Sequence, residues 1–187
     1  MVALHRDALL STGRVVRNIT TAQLQLPTPD KDWDVRDLLT HVVAGNLWAA
    51  ALAAGCTIEE VGDRFDGDVL GADPLGAYDR SSDAAAAAFE RPGALDASCA
   101  VSYGPVPGSI YAGHRFIDVL IHGWDLAVAT QQDTHLEPEL IAAAIEVIEP
   151  QLEMLQESGA FGQPVKIHDG TDPQTRLLAM LGRQATP

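Results

Sequence analysis

The stretch WDVRDLLTHVVAGNLWAAALAA, residues 33–54, decides the fold class. Asp34 stands as an N-cap with Asp37 three residues on, a carboxylate variant of the capping box, and Trp33 and Leu38 hold the two positions of a hydrophobic staple. From Leu38 to Ala54 the segment is apolar nearly all round, with only Thr40, His41 and Asn46 offering side-chain polarity. That pattern marks a helix buried at the centre of a packed structure.

The same signals recur on either side. A first helix is predicted over Val2–Thr20, ended by PTPD at Pro27–Asp30. A third follows Asp73-Pro74, passes through the alanine block 84–88 and stops at Pro92-Gly93. The Gly- and Pro-rich AVSYGPVPGS, residues 100–109, reads as a loop or short extended piece that could overhang a pocket, before a fourth helix from about Pro107 to Thr130. A fifth opens at Glu137-Pro138 and is divided by Pro150, and a short last helix follows Asp172-Pro173 with Leu177, Leu178 and Met180 facing inward. Strand signals are confined to VSY near Val101 and PVKI near Val165. The expected class is all-α: an up-and-down four-helix bundle with extra short helices and a short β-hairpin or extended loop.

At 187 residues the chain is read as one domain, 1–187. Twelve Lys and Arg against 26 Asp and Glu give a net charge of −14, a field that repels nucleic acid and anionic lipid surfaces. Only Cys56 and Cys99 occur, without CxxC spacing, which points to a reducing compartment. His5, Arg6 and Asp7 interrupt any signal-peptide core, so a soluble, cytoplasmic protein is expected.

Chemistry rests on the histidines. His5, His135 and His168 lie at the terminus or among turn residues and are read as exposed. His41 sits in a buried turn and needs partners, either as a core histidine bonded to a carboxylate or carbonyl or as a metal ligand. On the fourth helix His114, Asp118 and His122 fall at i, i+4 and i+8, with Asp125 three residues further. Asp118 and His122 there make either a simple charge pair or part of a site. One imidazole on a buried helix, with an imidazole and a carboxylate one turn apart on another, is how helical bundles build metal centres. Such a His₂-carboxylate set suits zinc with an open fourth position and equally the facial triad of non-haem iron.

The segments WDVRDLLTHVVAGN around His41 and DVLIHGWDLA around His122 resemble the two signature blocks of the DinB-like superfamily, in its mycothiol-dependent maleylpyruvate isomerase N-terminal branch. PTPDKDWDV and RLLAMLGRQ resemble further features of its small single-domain members. The resemblance implies a four-helix bundle whose metal is held by His41, Asp118 and His122. Zinc is the expected ion, with nickel and iron as the other candidates. It also implies activation of a small thiol, mycothiol, for attack on a small electrophile, by a thiol transferase or isomerase; a homodimer is the one assembly considered for it. Two departures stand out. The isomerase pattern has Glu where this chain has Asp118, one methylene shorter, so ligation needs a closer helix approach or an intervening water. The isomerase also has a second domain for which this chain lacks room, so its substrate is not expected to be maleylpyruvate. Asp125 is read as orienting an imidazole or as a surface or capping group, and His114 as an extra ligand, an acid or base, or, in preference to these, a bystander.

Other classes fit less well. A non-catalytic metal- or ligand-binding bundle would keep the same core without a substrate cavity at the metal. A zinc anti-sigma module would need paired cysteines near a histidine, and a serine hydrolase would need the GxSxG elbow.

Overall fold

The structure is a computed structural model that describes residues 1–153, 162–168 and 170–184. The chain divides into two compact units, Met1–Thr134 and His135–Pro187.

The first unit is built on α1 (Val2–Val16), α2 (Val35–Ala53), a single turn α3 (Ile58–Val61), α4 (Pro74–Glu90), strands β1 (Ser98–Val101) and β2 (Gly104–Pro107), and α5 (Gly108–Ala129). The expected four-helix bundle is present in α1, α2, α4 and α5, and α2 packs against both α4 and α5. Local chemistry sets the boundaries. Asp34 and Asp37 close the reciprocal cap of α2, and Asp73 accepts from the Gly76 amide at the start of α4, where Pro74 takes the first turn. The predicted extension of α1 to Thr20 is not made: the helix ends at Val16, and Thr20 instead caps a short 3₁₀ turn, Thr21–Gln23.

The helices run up, down, down, up rather than in strict alternation. Thr12 bonds the Val119 carbonyl while Gln132 bonds that of Val15, so α1 and α5 are parallel. Asn46 meets Ser81 and Ser82 while Arg91 meets the Ala53 carbonyl, so α2 and α4 are parallel too. The cause is the connection 54–73, long enough to carry the chain back along the bundle before α4 begins.

Two apolar clusters of the core lie along α2 among the described residues. One gathers Leu38, Leu39, Val42, Tyr78 and Leu126, and the other Ala49, Leu52, Phe89, Cys99 and Tyr111. Asn46, fully buried, lies on α2 between the two and carries a polar layer through the bundle. The helices approach closely where glycine allows: a Cβ on Gly123 would fall 2.1 Å from Thr12 Oγ1. The segment read as a loop or short extended piece is an antiparallel hairpin pairing Ser98 with Pro107 and Val101 with Gly104.

The second unit holds α6 (Pro138–Ile148), a 3₁₀ turn at Glu149–Gln151 where Pro150 interrupts the helix as expected, and α7 (Pro173–Met180). The helical piece expected beyond Pro150 lies largely outside the described residues. Leu177 and Leu178 are buried as predicted, but Met180 is only half-buried and Ala179 takes the inward position. PVKI forms no strand; the Val165 amide donates to the Ala179 carbonyl instead. Among the described residues no helix is long and apolar enough to cross a membrane.

Candidate metal centre

Two helices and one loop converge on the site. α2 presents His41 from its second turn, and α5 presents Asp118 and His122 one turn apart on the face that meets α2. The loop ahead of α2 is folded on itself: the Thr28 amide donates to the Trp33 carbonyl (3.1 Å), and the Thr28 hydroxyl accepts from the Asp30 amide (3.2 Å). This turn carries Asp30 and Trp33 to the site.

Asp118 Oδ1 lies 3.2 Å from His41 Nε2 and 3.6 Å from His122 Nε2. One ligand atom from each of the three residues falls within 4.8 Å of the others. Ligands bound at ~2.1 Å in a tetrahedral shell lie about 3.4 Å apart, so these spacings match the edges of such a shell. The shorter Asp118 side chain therefore reaches both imidazoles, because α2 and α5 are in direct contact here.

The opposite edge of His122 is held by carboxylates. Its Nδ1 lies 3.1 Å from Oδ2 of the fully buried Asp125 and 3.2 Å from Asp30 Oδ2. A proton on Nδ1 satisfies both and leaves the Nε2 lone pair facing Asp118 and His41, the arrangement that orients a ligating imidazole. Burial works against charge on His122, but Asp118, Asp125 and Asp30 prevail and raise its pKa well above the ordinary histidine value. Asp118 is shifted the other way: burial would raise it, yet Arg115 and His122 hold it well below the usual carboxylate range. The donor set, two imidazole nitrogens and one carboxylate oxygen, fits a divalent ion of the zinc type that takes the place of the proton on His122 Nε2.

Exposure grades across the site. The side chain of His122 is 6% exposed, Asp118 19% and His41 37%, so the site opens to solvent beside His41. Trp33 stands at this mouth, its ring centroid 5.0 Å from that of His41 and 6.4 Å from that of His122. Besides the staple position that the sequence assigns to it, Trp33 thus lies against both imidazoles.

Asp125 takes the imidazole-orienting position of the two considered for it. His114 joins neither candidate ligand group; its Nδ1 pairs at 2.5 Å with the hydroxyl of Tyr103, carried by the hairpin. His135 and His168 are exposed, as expected. His5 is not. It lies 1% exposed on the inner face of α1, edge-on to Phe89 at 5.2 Å, because the helix begins at Val2 and turns this residue toward α4. Asp30 and Arg115 were missed by the sequence reading. The only signal for Asp30 was its place in PTPD, and for Arg115 a lone cation on an apolar helix.

A family model described as the mycothiol maleylpyruvate isomerase N-terminal domain matches residues 5–127. An uncharacterized protein of Mycobacterium tuberculosis, found in strains CDC 1551 / Oshkosh and ATCC 25618 / H37Rv, is 35% identical over 183 residues, which cover 96% of this chain and 95% of the relative. Crystal structures of the mycothiol-dependent maleylpyruvate isomerase and of a histidine-to-alanine mutant of it align with TM-scores of 0.60 and 0.61, at 19% and 17% identity. They cover 81% and 83% of this chain, which spans 67% and 68% of theirs, and at that identity the likeness speaks for the fold alone.

Proposed function

The chain belongs to the mycothiol maleylpyruvate isomerase N-terminal domain family, and from that premise we propose that it is a metal-dependent enzyme using a small thiol, mycothiol, to attack a small electrophile. The observation that carries this reading is the convergence of His41 Nε2, Asp118 Oδ1 and His122 Nε2 at the solvent-facing end of a buried polar stripe. Three protein donors leave room for a fourth ligand, the pattern of catalytic rather than structural zinc. A divalent ion held there by His41, Asp118 and His122 would supply the acidity that a thiol of pKa ≈ 8.5 lacks at neutral pH and would hold its sulfur in place.

The protein's own groups do the rest. His41, Asp118 and His122 hold the ion. Asp125 and Asp30 keep the His122 proton on Nδ1, so that Nε2 remains a lone-pair donor. Trp33 closes one side of the mouth and leaves access along the exposed edge of His41. In the reaction class proposed, a carbon–sulfur bond forms and the thiol proton passes to the adduct. A transferase stops there; an isomerase then breaks the same bond after rotation and regenerates the thiol.

A non-catalytic reading is favoured by one observation. Protonated His122 has carboxylates on both edges and Arg115 neutralises Asp118, so the cluster is also consistent as an ion-pair network. Elemental analysis of the purified protein, followed by thiol-transfer assays on a panel of electrophiles, separates the two. Stoichiometric zinc, nickel or iron with metal-dependent transfer supports the enzyme. Absence of any bound metal leaves the ion-pair network.

A further inference from the structure

Arg115 is 8% exposed, an unusual setting for a permanent cation in a helical core. Its Nη1 donates to Asp118 Oδ2 at 2.9 Å and its Nη2 to Asn46 Oδ1 at 3.3 Å. Asn46 in turn lies 3.4 Å from the hydroxyls of Ser81 and Ser82, so the guanidinium is tied through α2 to α4. The space it occupies is provided by Gly45: a Cβ there would lie 2.5–2.7 Å from three guanidinium atoms. A side chain at 45 would thus displace the guanidinium from its present seat; the glycine serves the arginine and not a backbone turn, since the residue lies within α2.

The consequence falls on Asp118. Its Oδ2 is taken by Arg115, and its Oδ1 alone faces the two Nε2 atoms. A free carboxylate can grip a metal through both oxygens and so consume a second coordination position. Here that grip would set the metal ion and the guanidinium on the same oxygen, two positive charges competing for Oδ2 in a buried site, which is unfavourable. We propose that Arg115, seated in the notch left by Gly45, is a positioning residue that restricts Asp118 to one-oxygen ligation and thereby keeps a coordination position open for the thiol. The proposal rests on the metal reading above and adds a role for Arg115, Gly45 and Asn46.

The test uses the full chain loaded with cobalt(II), whose visible absorption is intense in four-coordinate sites and weak in five- or six-coordinate ones, titrated with mycothiol. Wild type, Arg115→Met, Arg115→Lys and Gly45→Ala are compared, with circular dichroism to establish folding. Wild type is expected to give the intense band. Arg115→Met and Gly45→Ala are expected to lose intensity and to bind mycothiol about ten-fold or more weakly, the usual scale for removing a group that orients a ligand. Arg115→Lys, which keeps a charge and a donor, is expected to recover much of the band. A merely structural arginine would move the melting temperature and leave the cobalt spectrum alone. Folded Arg115→Met or Gly45→Ala protein with the wild-type spectrum and thiol affinity overturns the proposal, as does failure of every variant to fold, which would assign Arg115 to the core. A wild type that takes up no cobalt overturns the metal reading along with it.

Discussion

Asp118 Oδ1 stands 3.2 Å from His41 Nε2 across 77 positions of sequence, an approach that links α5 to the buried α2. The same oxygen is 3.6 Å from His122 Nε2. A single carboxylate atom thus lies between two imidazoles that share no local sequence context.

If that oxygen is a ligand, Asp118→Ala should lower metal affinity by at least about ten-fold while the bundle keeps its helix content. Asp118→Glu should retain metal, because it restores the acid found in the family pattern. Metal content per chain, measured after dialysis against a weak chelator, checks both.

His122 supplies a pH signature. Its folded-state pKa is raised well above 6.5, chiefly by Asp118 overcoming the effect of burial, so in metal-free protein its contribution to stability is full below the unfolded value and is lost as pH rises through the folded one. Metal-free protein should therefore melt at lower temperature as the solution becomes alkaline. Metal-loaded protein should not, since the ion replaces the proton on Nε2 and binds better as protons become scarce. Melting curves across pH, with and without added zinc, compare the two.

Burial lowers the pKa of His5 to about 3. The unfolded chain takes up a proton near 6.5 that the folded chain refuses, so the contribution of His5 is full above 6.5 and declines as pH falls toward 3. At ~1.4 kcal/mol per unit the loss at the acid end is a few kcal/mol. His5→Phe should flatten the acid limb of the stability profile and raise stability at pH 5, because it also removes a buried Nε2 that has no partner. Urea unfolding between pH 4 and 7 reads this directly.

Close helix packing makes a fourth claim. Gly123→Ala would place a methyl 2.1 Å from Thr12 Oγ1, whose hydrogen bond to the Val119 carbonyl joins α1 to α5. Overpacking of this kind costs about 1–3 kcal/mol. A lowered urea midpoint with an unchanged slope is the expected result.

What was legible in the sequence was what is local in the chain. The Asp34–Asp37 cap, the Asp73-Pro74 start and the Pro150 break each depend on a few adjacent residues, and the structure uses all three. The face shared by Asp118 and His122 follows from helical spacing, and His41 entered through its buried turn and the family resemblance. The remainder depends on distant partners. His5 reads as a surface group in the sequence because Phe89, the ring it packs on, lies 84 positions away. Asp30 looked like turn chemistry until the loop folded it against His122, and Gly45 looked like an ordinary small residue until Arg115 filled its place. The parallel course of α1 and α5 also needed contacts, since helical periodicity carries no direction between segments.

The central claim is that this cluster presents a metal with a position open to a thiol. X-ray absorption at the metal edge, recorded on the purified protein with and without saturating mycothiol, tests it most directly. The account predicts nitrogen and oxygen scatterers near ~2.0–2.1 Å without thiol and one added sulfur near ~2.3 Å with it, if the ion is zinc. An unchanged shell with no sulfur at saturating mycothiol, or a protein that holds no metal, would contradict it.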